Sequence, residues 1–390
     1  MRNLLSIFPF RLDIIILVAS ISALVIFGKG PIVLFFVILL VLVVVHEFGH
    51  FIAAKLTGMR VDEFAVGFPP RIYGKKYGET TYAINALPLG GYVSIYGENS
   101  EHDEAKRDPR AFGNRPVWAQ LVTLSAGVIM NMVLALAIFI GLSYGNVQVS
   151  VDDPIYGARA TNTVLMVVDA HPESPAFKAG IVPGSVVTSL GNGQTQATLT
   201  TVTSAIKFIA DHQHDPLAIE YVTPDGTRHD TVIAAVYGLV PNKKAIGVTF
   251  DVRGIVTTTP LEAISLGTEK TVSFTTLTLA ALGELVKSIF QGENVIESLS
   301  GPIGIARIVT NTSTYGVEAL LTLVAILSIN LAIFNALPIP ALDGGRFVIV
   351  VGEALVRRKL PYKYLAGSNA VGIILLIILG IVVTIKDIMV

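Results

Sequence analysis

Residues 31–57 leave this chain little choice of surroundings: they read PIVLFFVILLVLVVV, then His46-Glu47-Phe48-Gly49-His50, then FIAA. A mainly apolar run of this length crosses a bilayer as a helix, because hydrocarbon offers the backbone no hydrogen-bond partner but itself. Ionisable side chains inside such a span cost about 2.5 to 3.5 kcal/mol each on insertion scales, so three together mark a functional site. On a helix His46 and His50, four residues apart, project from one face, and Glu47 stands one position round. That is the spacing with which two imidazoles grip one zinc ion in the H-E-x-x-H hydrolases. Water in such sites is acidified towards neutrality, and the glutamate can take its proton and pass it to a leaving amine.

Composition agrees with the membrane and removes other chemistries. The 390 residues are 52% hydrophobic and 15% charged, with a mean hydropathy of +0.66, beyond what a soluble domain carries. With a net charge of −1, no strongly basic stretch and no aromatic-basic interleaving, nothing points to nucleic acid, and no nucleic-acid partner is expected. Without cysteine there is no disulfide and no thiolate nucleophile, which leaves His, Asp and Glu as zinc ligands.

Taken in order, residues 1–30 form an extra N-terminal hydrophobic segment behind Arg2 and Arg11, apolar from about Ile14 to Phe27 and short for a span. Residues 31–57 are the membrane helix with HEFGH. Residues 58–118 are rich in Lys and Arg and belong on the cytoplasmic side by the positive-inside rule. Within them Thr80 to Glu98 alternates and is bent by Pro88, Gly90 and Gly91, which predicts a membrane-associated β-hairpin folding back as a re-entrant segment. Its edge beside the zinc site is one that an unwound peptide substrate could pair with. Residues 119–145 are a second membrane helix, with Asn131 expected to hydrogen-bond across helices and Gly127 one turn away. Residues 161–252 change to alternating strands, a helix near Val202 and a Pro224-Asp225-Gly226 turn, an inserted soluble α/β domain. An amphipathic connecting region covers 254–317, a membrane helix ending in LDGG covers 318–345, and a C-terminal membrane helix covers 365–386.

Topology then supplies a third ligand. With Arg2 and Arg11 inside, the short segment leads out, the HEFGH helix in, the next helix out, and the helix ending at Leu337 in again. HEFGH and Asp343 then fall at similar depth near the cytoplasmic side. A tetrahedral catalytic zinc needs one more protein ligand and one position for water, and Asp343 beside two glycines fits that need.

HEFGH, the PLGGYV segment, GVIMN, SGPIGIA and NALPIPALDGG together resemble the site-2 protease family, most similar to bacterial regulator-of-sigma-E-type intramembrane zinc metalloproteases. The stretch SPAFKAGIVPGSVVTSLGNG resembles a PDZ domain. The resemblance implies a polytopic α-helical membrane protein of the bacterial cytoplasmic membrane with an inserted, extracytoplasmic PDZ-like domain. It implies His46, His50 and Asp343 on Zn2+, Glu47 as base, and Asn335, Pro338 and Pro340, with Gly90 and Gly91, shaping the substrate site. It also implies regulated cleavage of single-span membrane proteins, such as anti-sigma factors or signal-peptide remnants, after an upstream site-1-type protease. The chain departs from the pattern in three ways: one PDZ-like domain where relatives carry a tandem pair, the segment before Pro31, and Val128 where proline is usual. A PDZ-bearing scaffold would need no metal set, and a metal transporter would show internal repeats and polar residues in several spans.

Overall fold

The computed structural model describes residues 30–98, 107–192, 196–197, 201–240, 243–293, 295–313 and 315–389. The segment expected before Pro31 lies outside the described residues but for Gly30. The chain divides into two units, the first within Met1–Phe139, Thr268–Ser313 and Leu321–Val390, the second within Ile140–Gly267 and Thr314–Leu320.

In the first unit, helix α1 (Gly30–Leu56) carries HEFGH, and β1 (Val61–Tyr77) and β2 (Thr80–Ile95) follow it. Both strands break where proline and glycine cannot continue a ladder, at Pro69-Pro70 and around Pro88 to Gly91. They therefore pair more than once. Residues 61–66 run against 91–95, and Glu63 to Val66 also lie alongside Thr81 to Ile84 in the same direction, while 71–77 run against 80–85. The segment 91–95 is thus an edge. It lies on α1: a Cβ at Gly91 would meet Val44, and one at Gly90 would meet Val43. Phe48 of HEFGH stacks on Phe51 and meets Phe64, and Phe51 meets Tyr82, which locks helix and sheet together.

Helix α2 (Val117–Leu142) follows, and Gly49 of α1 lies on its backbone. A Cβ at Gly49 would come within 2.3 Å of the Ala126 carbonyl oxygen, so only glycine lets the helices meet so closely.

The second unit is built on β3 (Gly145–Ser150), β4 (Thr161–Ala170), a short α3 (Pro175–Lys178), β5 (Val186–Gly191), β6 (Gln196–Ala197), α4 (Val202–Asp211), β7 (Leu217–Val222), β8 (Arg228–Ile233), β9 (Val236–Val240), β10 (Lys243–Ala245) and β11 (Val248–Thr258). The main sheet has the order β3-β11-β4-β5-β7-β8, with β6 on β5. Its core includes Leu165, Val167, Leu190, Ala205, Ile209, Leu217 and Ile219. The Pro224-Asp225-Gly226 turn joins β7 to β8, with Gly226 at φ 85° and the Asp225 carboxylate accepting from Thr227 N–H. Between β10 and β11 stands Gly247, whose φ of 81° interrupts the extended run.

Helices α5 (Pro260–Phe290), α6 (Pro302–Ser313), α7 (Val317–Ala336), α8 (Asp343–Val356) and α9 (Tyr362–Met389) complete the chain. About half of the stretch read as an amphipathic connection is one helix, α5. Its serines, threonines and charged residues make it less apolar than α1, α2, α7 and α9, which is why the pattern reads as amphipathic. Among the described residues, five helices are long and apolar enough to cross a membrane, and the protein is a multi-pass membrane protein.

Candidate metal centre

His46 and His50 sit on the face of α1 that meets α2, and both are buried. Asp343 is the first residue of α8, brought to them by the turn after α7. His46 Nε2 lies 2.9 Å and His50 Nε2 3.2 Å from Asp343 Oδ2, and the two Nε2 atoms are 3.1 Å apart. Zinc held at about 2.0 to 2.2 Å from each atom of a tetrahedral set would place such atoms about 3.3 Å apart. One nitrogen from each ring and one carboxylate oxygen thus converge at the spacing zinc needs, and the donor chemistry fits. Among the described residues these form the one group of three or more such side chains close enough to share a metal.

The surroundings explain how the set is held. His50 Nδ1 donates to the Thr123 carbonyl at 2.7 Å, which leaves Nε2 for the metal side. Gly127 lies directly beneath both rings: a Cβ there would stand 2.4 Å from His50 Nε2 and 2.6 Å from His46 Cε1. The glycines after Asp343 are equally confined, since a Cβ at Gly344 would reach within 2.3 Å of the Ala336 oxygen, and one at Gly345 within 2.1 Å of the Ile339 oxygen. These contacts press the start of α8 onto the turn and fix where Asp343 points.

Glu47 is not part of the ligand group. Its Oε2 accepts from Val93 N–H at 3.0 Å, so the carboxylate stands between the histidines and the 91–95 edge. Of the other residues expected at the site, Asn335 occupies the last turn of α7, and Pro338 and Pro340 shape the turn to α8. That turn is clamped, with Ala341 N–H donating to Asn369 Oδ1 and the Pro340 oxygen against Gly372 of α9. Gly90 and Gly91 let β2 approach α1. Sequence reasoning had no signal for the Thr123 carbonyl or the Val93 N–H, because backbone groups carry no residue identity. Gly127 and Asn131 did have one, an i, i+4 pair on one face of α2.

Comparison with known proteins adds independent support. The model of peptidase family M50 matches residues 34–379. A protein of Clostridium perfringens described as "Putative zinc metalloprotease" is 34% identical over 351 residues, covering 89% of this chain and 95% of that one. A Synechocystis protein of the same description is 31% identical, covering 90% of this chain and 92% of that one. "Probable membrane metalloprotease ARASP2, chloroplastic" of Arabidopsis thaliana is 29% identical, covering 90% of this chain and 78% of that one. All three ligand candidates fall inside the segment matched by the family model, and on that match the chain belongs to peptidase family M50, the site-2 proteases, and is a zinc metalloprotease.

Proposed function

We propose that this enzyme cuts single-span membrane proteins within the bilayer, with His46, His50 and Asp343 holding zinc and Glu47 as the base. The observation that carries this reading is the convergence of two imidazole nitrogens and a carboxylate oxygen, on apolar helices, with Glu47 one position from His46. Zinc bound there supplies a Lewis acid and an acidified water. Glu47 takes the proton at Oε and returns it to the amide nitrogen as the bond breaks.

A helical substrate shields its amides by its own hydrogen bonds, so it must unwind before attack. The 91–95 edge offers an extended peptide a strand to pair with beside Glu47, whose Oε2 already holds the Val93 N–H. Asn335, Pro338, Pro340, Gly90 and Gly91 line the approach in this reading. We read the insert at 161–252, with its strands and the helix α4, as PDZ-like, although Ser185, where that family usually has Asp, turns its hydroxyl onto Val182 N–H. We assign it to the extracytoplasmic side as a restriction on access, with an upstream site-1-type protease shortening substrates such as anti-sigma factors or signal-peptide remnants.

Connectivity supports the orientation. Arg115 Nη2 donates to the Thr57 carbonyl and Lys359 to that of Gly113, so α2 and α9 start from one end, which the basic residues mark as cytoplasmic. Both then run away from it. Thr258 Oγ1 is bonded to the Ser143 carbonyl just after α2, and Gly301 and Gly304 N–H to Asp387 Oδ2 near the end of α9. On this reading α5 makes no net crossing.

The test is a reconstituted one. Purified protein in liposomes should cleave a single-span substrate inside its apolar segment, and Glu47→Gln should keep zinc and lose about 10²- to 10⁴-fold in rate or more. Cleavage sites confined to the water-exposed flanks, by mass spectrometry, or an active Glu47→Gln protein, would overturn the reading.

A further inference from the structure

Each metal-binding histidine has a second ring nitrogen, and its partner decides how the ring is held. For His50 that partner is plain: Nδ1 donates to the Thr123 carbonyl at 2.7 Å. Among the described residues no carbonyl is bonded to His46 Nδ1. Its Nδ1 faces the side-chain amide of Asn131, 3.4 Å from Nδ2. Asn131 is fully buried, and its Oδ1 has no hydrogen-bond partner among the described residues.

Those facts conflict unless the amide has a particular role. Both Nε2 atoms point at Asp343 Oδ2, so the metal side of each ring is Nε2. A neutral ring bound through Nε2 carries its proton on Nδ1 and needs an acceptor there. Opposite an amide NH2 it would meet a donor, while the amide oxygen, a buried acceptor, stood unpaired at a cost of about 1 to 3 kcal/mol. A half-turn of the amide about its last side-chain bond removes the donor–donor clash with little change of shape, and leaves the NH2 where the oxygen stood. It presents Oδ1 to the His46 N–H.

We propose that Asn131 is the positioning residue of His46, its amide oxygen accepting from Nδ1–H as the Thr123 carbonyl does for His50. The neighbourhood holds it there. Ser328 Oγ of α7 donates to the Asn131 main-chain oxygen at 2.8 Å, and Gly127, one turn earlier, lies against both rings. One turn of α2 thus supplies the floor of the centre and the partner of one ring, and α7, which leads to Asp343, is tied to the same turn. This rests on His46 being a zinc ligand. It goes beyond the interhelical bond expected of a polar residue in a span, because such a bond would leave metal affinity alone.

The test is equilibrium competition for zinc against a chromophoric chelator, on full-length protein purified in detergent, with the Co2+ absorption spectrum as a second readout. Asn131→Ala and the volume-filling Asn131→Leu should each weaken zinc about 10- to 100-fold. Asn131→Asp, which keeps the shape and an acceptor oxygen, should restore affinity to the native level or above, and its Co2+ spectrum should match the native one. His46→Ala is the control for the underlying assignment. If His46→Ala binds zinc normally, the ligand reading fails and the role of Asn131 with it. If His46→Ala loses zinc while Asn131→Ala and Asn131→Leu stay within threefold of native, or Asn131→Asp binds no better than they do, the ligand set stands and the proposal is overturned. Should Asn131→Ala fail to fold, the comparison of Asn131→Leu with Asn131→Asp decides on the same criteria.

Discussion

Single atoms decide this centre, and glycine is the clearest case. The Gly127 hydrogen that faces His46 and His50 occupies space that a methyl group cannot share, since the carbon would lie 2.4 Å from His50 Nε2. Gly127→Ala should therefore displace the rings and lower zinc affinity by about 100-fold or more, beyond the usual cost of losing an outer hydrogen bond. Helical content by circular dichroism should be unchanged, and zinc retained at native affinity would contradict the packing described. A second residue-scale effect concerns Glu98, in the loop after β2. Burial pushes its carboxyl up to about 7, against the opposing pull of His50 and Arg346. The folded protein then holds a proton that the unfolded chain releases above about 4.5, so this group's contribution to stability falls as pH rises through about 7. Replacing it, as Glu98→Gln, should flatten that fall. Thermal unfolding midpoints at pH 5 and pH 8 would show it, and equal drops in both proteins would exclude it.

At the scale of elements, local chemistry and topology compete. Helix α5 satisfies the length and composition of a span, yet in the proposed orientation it makes no net crossing. To cross and come back, the ten or so residues after Phe290 would have to traverse hydrocarbon in irregular conformation with their backbone groups unpaired, which lipid does not tolerate. The native chain contains no cysteine, so single cysteines report cleanly. Thr259→Cys and Ser300→Cys should react with an impermeant thiol reagent from one face of the membrane, and Lys363→Cys from the other. Ser300→Cys labelling together with Lys363→Cys would mean that α5 crosses.

For the whole molecule, the proposed function assigns chemistry to one unit and access to the other. All four residues assigned to hydrolysis lie in the first unit, and the second has its own hydrophobic core. Removing residues 161–252 should leave a folded, zinc-loaded enzyme that accepts substrates with longer external domains. Cleavage assays on a series of such substrates would check this, and an unchanged length limit would refute the role of the insert. Chelation followed by zinc should abolish and then restore cleavage by the full-length protein, as expected if one metal serves one centre.

Much of this was legible in the chain itself. The apolar runs required helices because lipid leaves the backbone no other partner, and HEFGH within such a run required a metal because three ionisable groups are otherwise too costly there. The hairpin at Pro224-Asp225-Gly226 and the strands around it could be read locally, since turn chemistry and alternation are properties of neighbours. The pairing of residues 61–66 with two separate parts of β2, the Val93 N–H on Glu47, the Thr123 carbonyl behind His50 and the Gly127 floor could not. Each depends on backbone groups or on bare space, and neither has a letter in the sequence. His46 and Asp343 stand 297 positions apart, and only packing that brings α8 against α1 makes them neighbours.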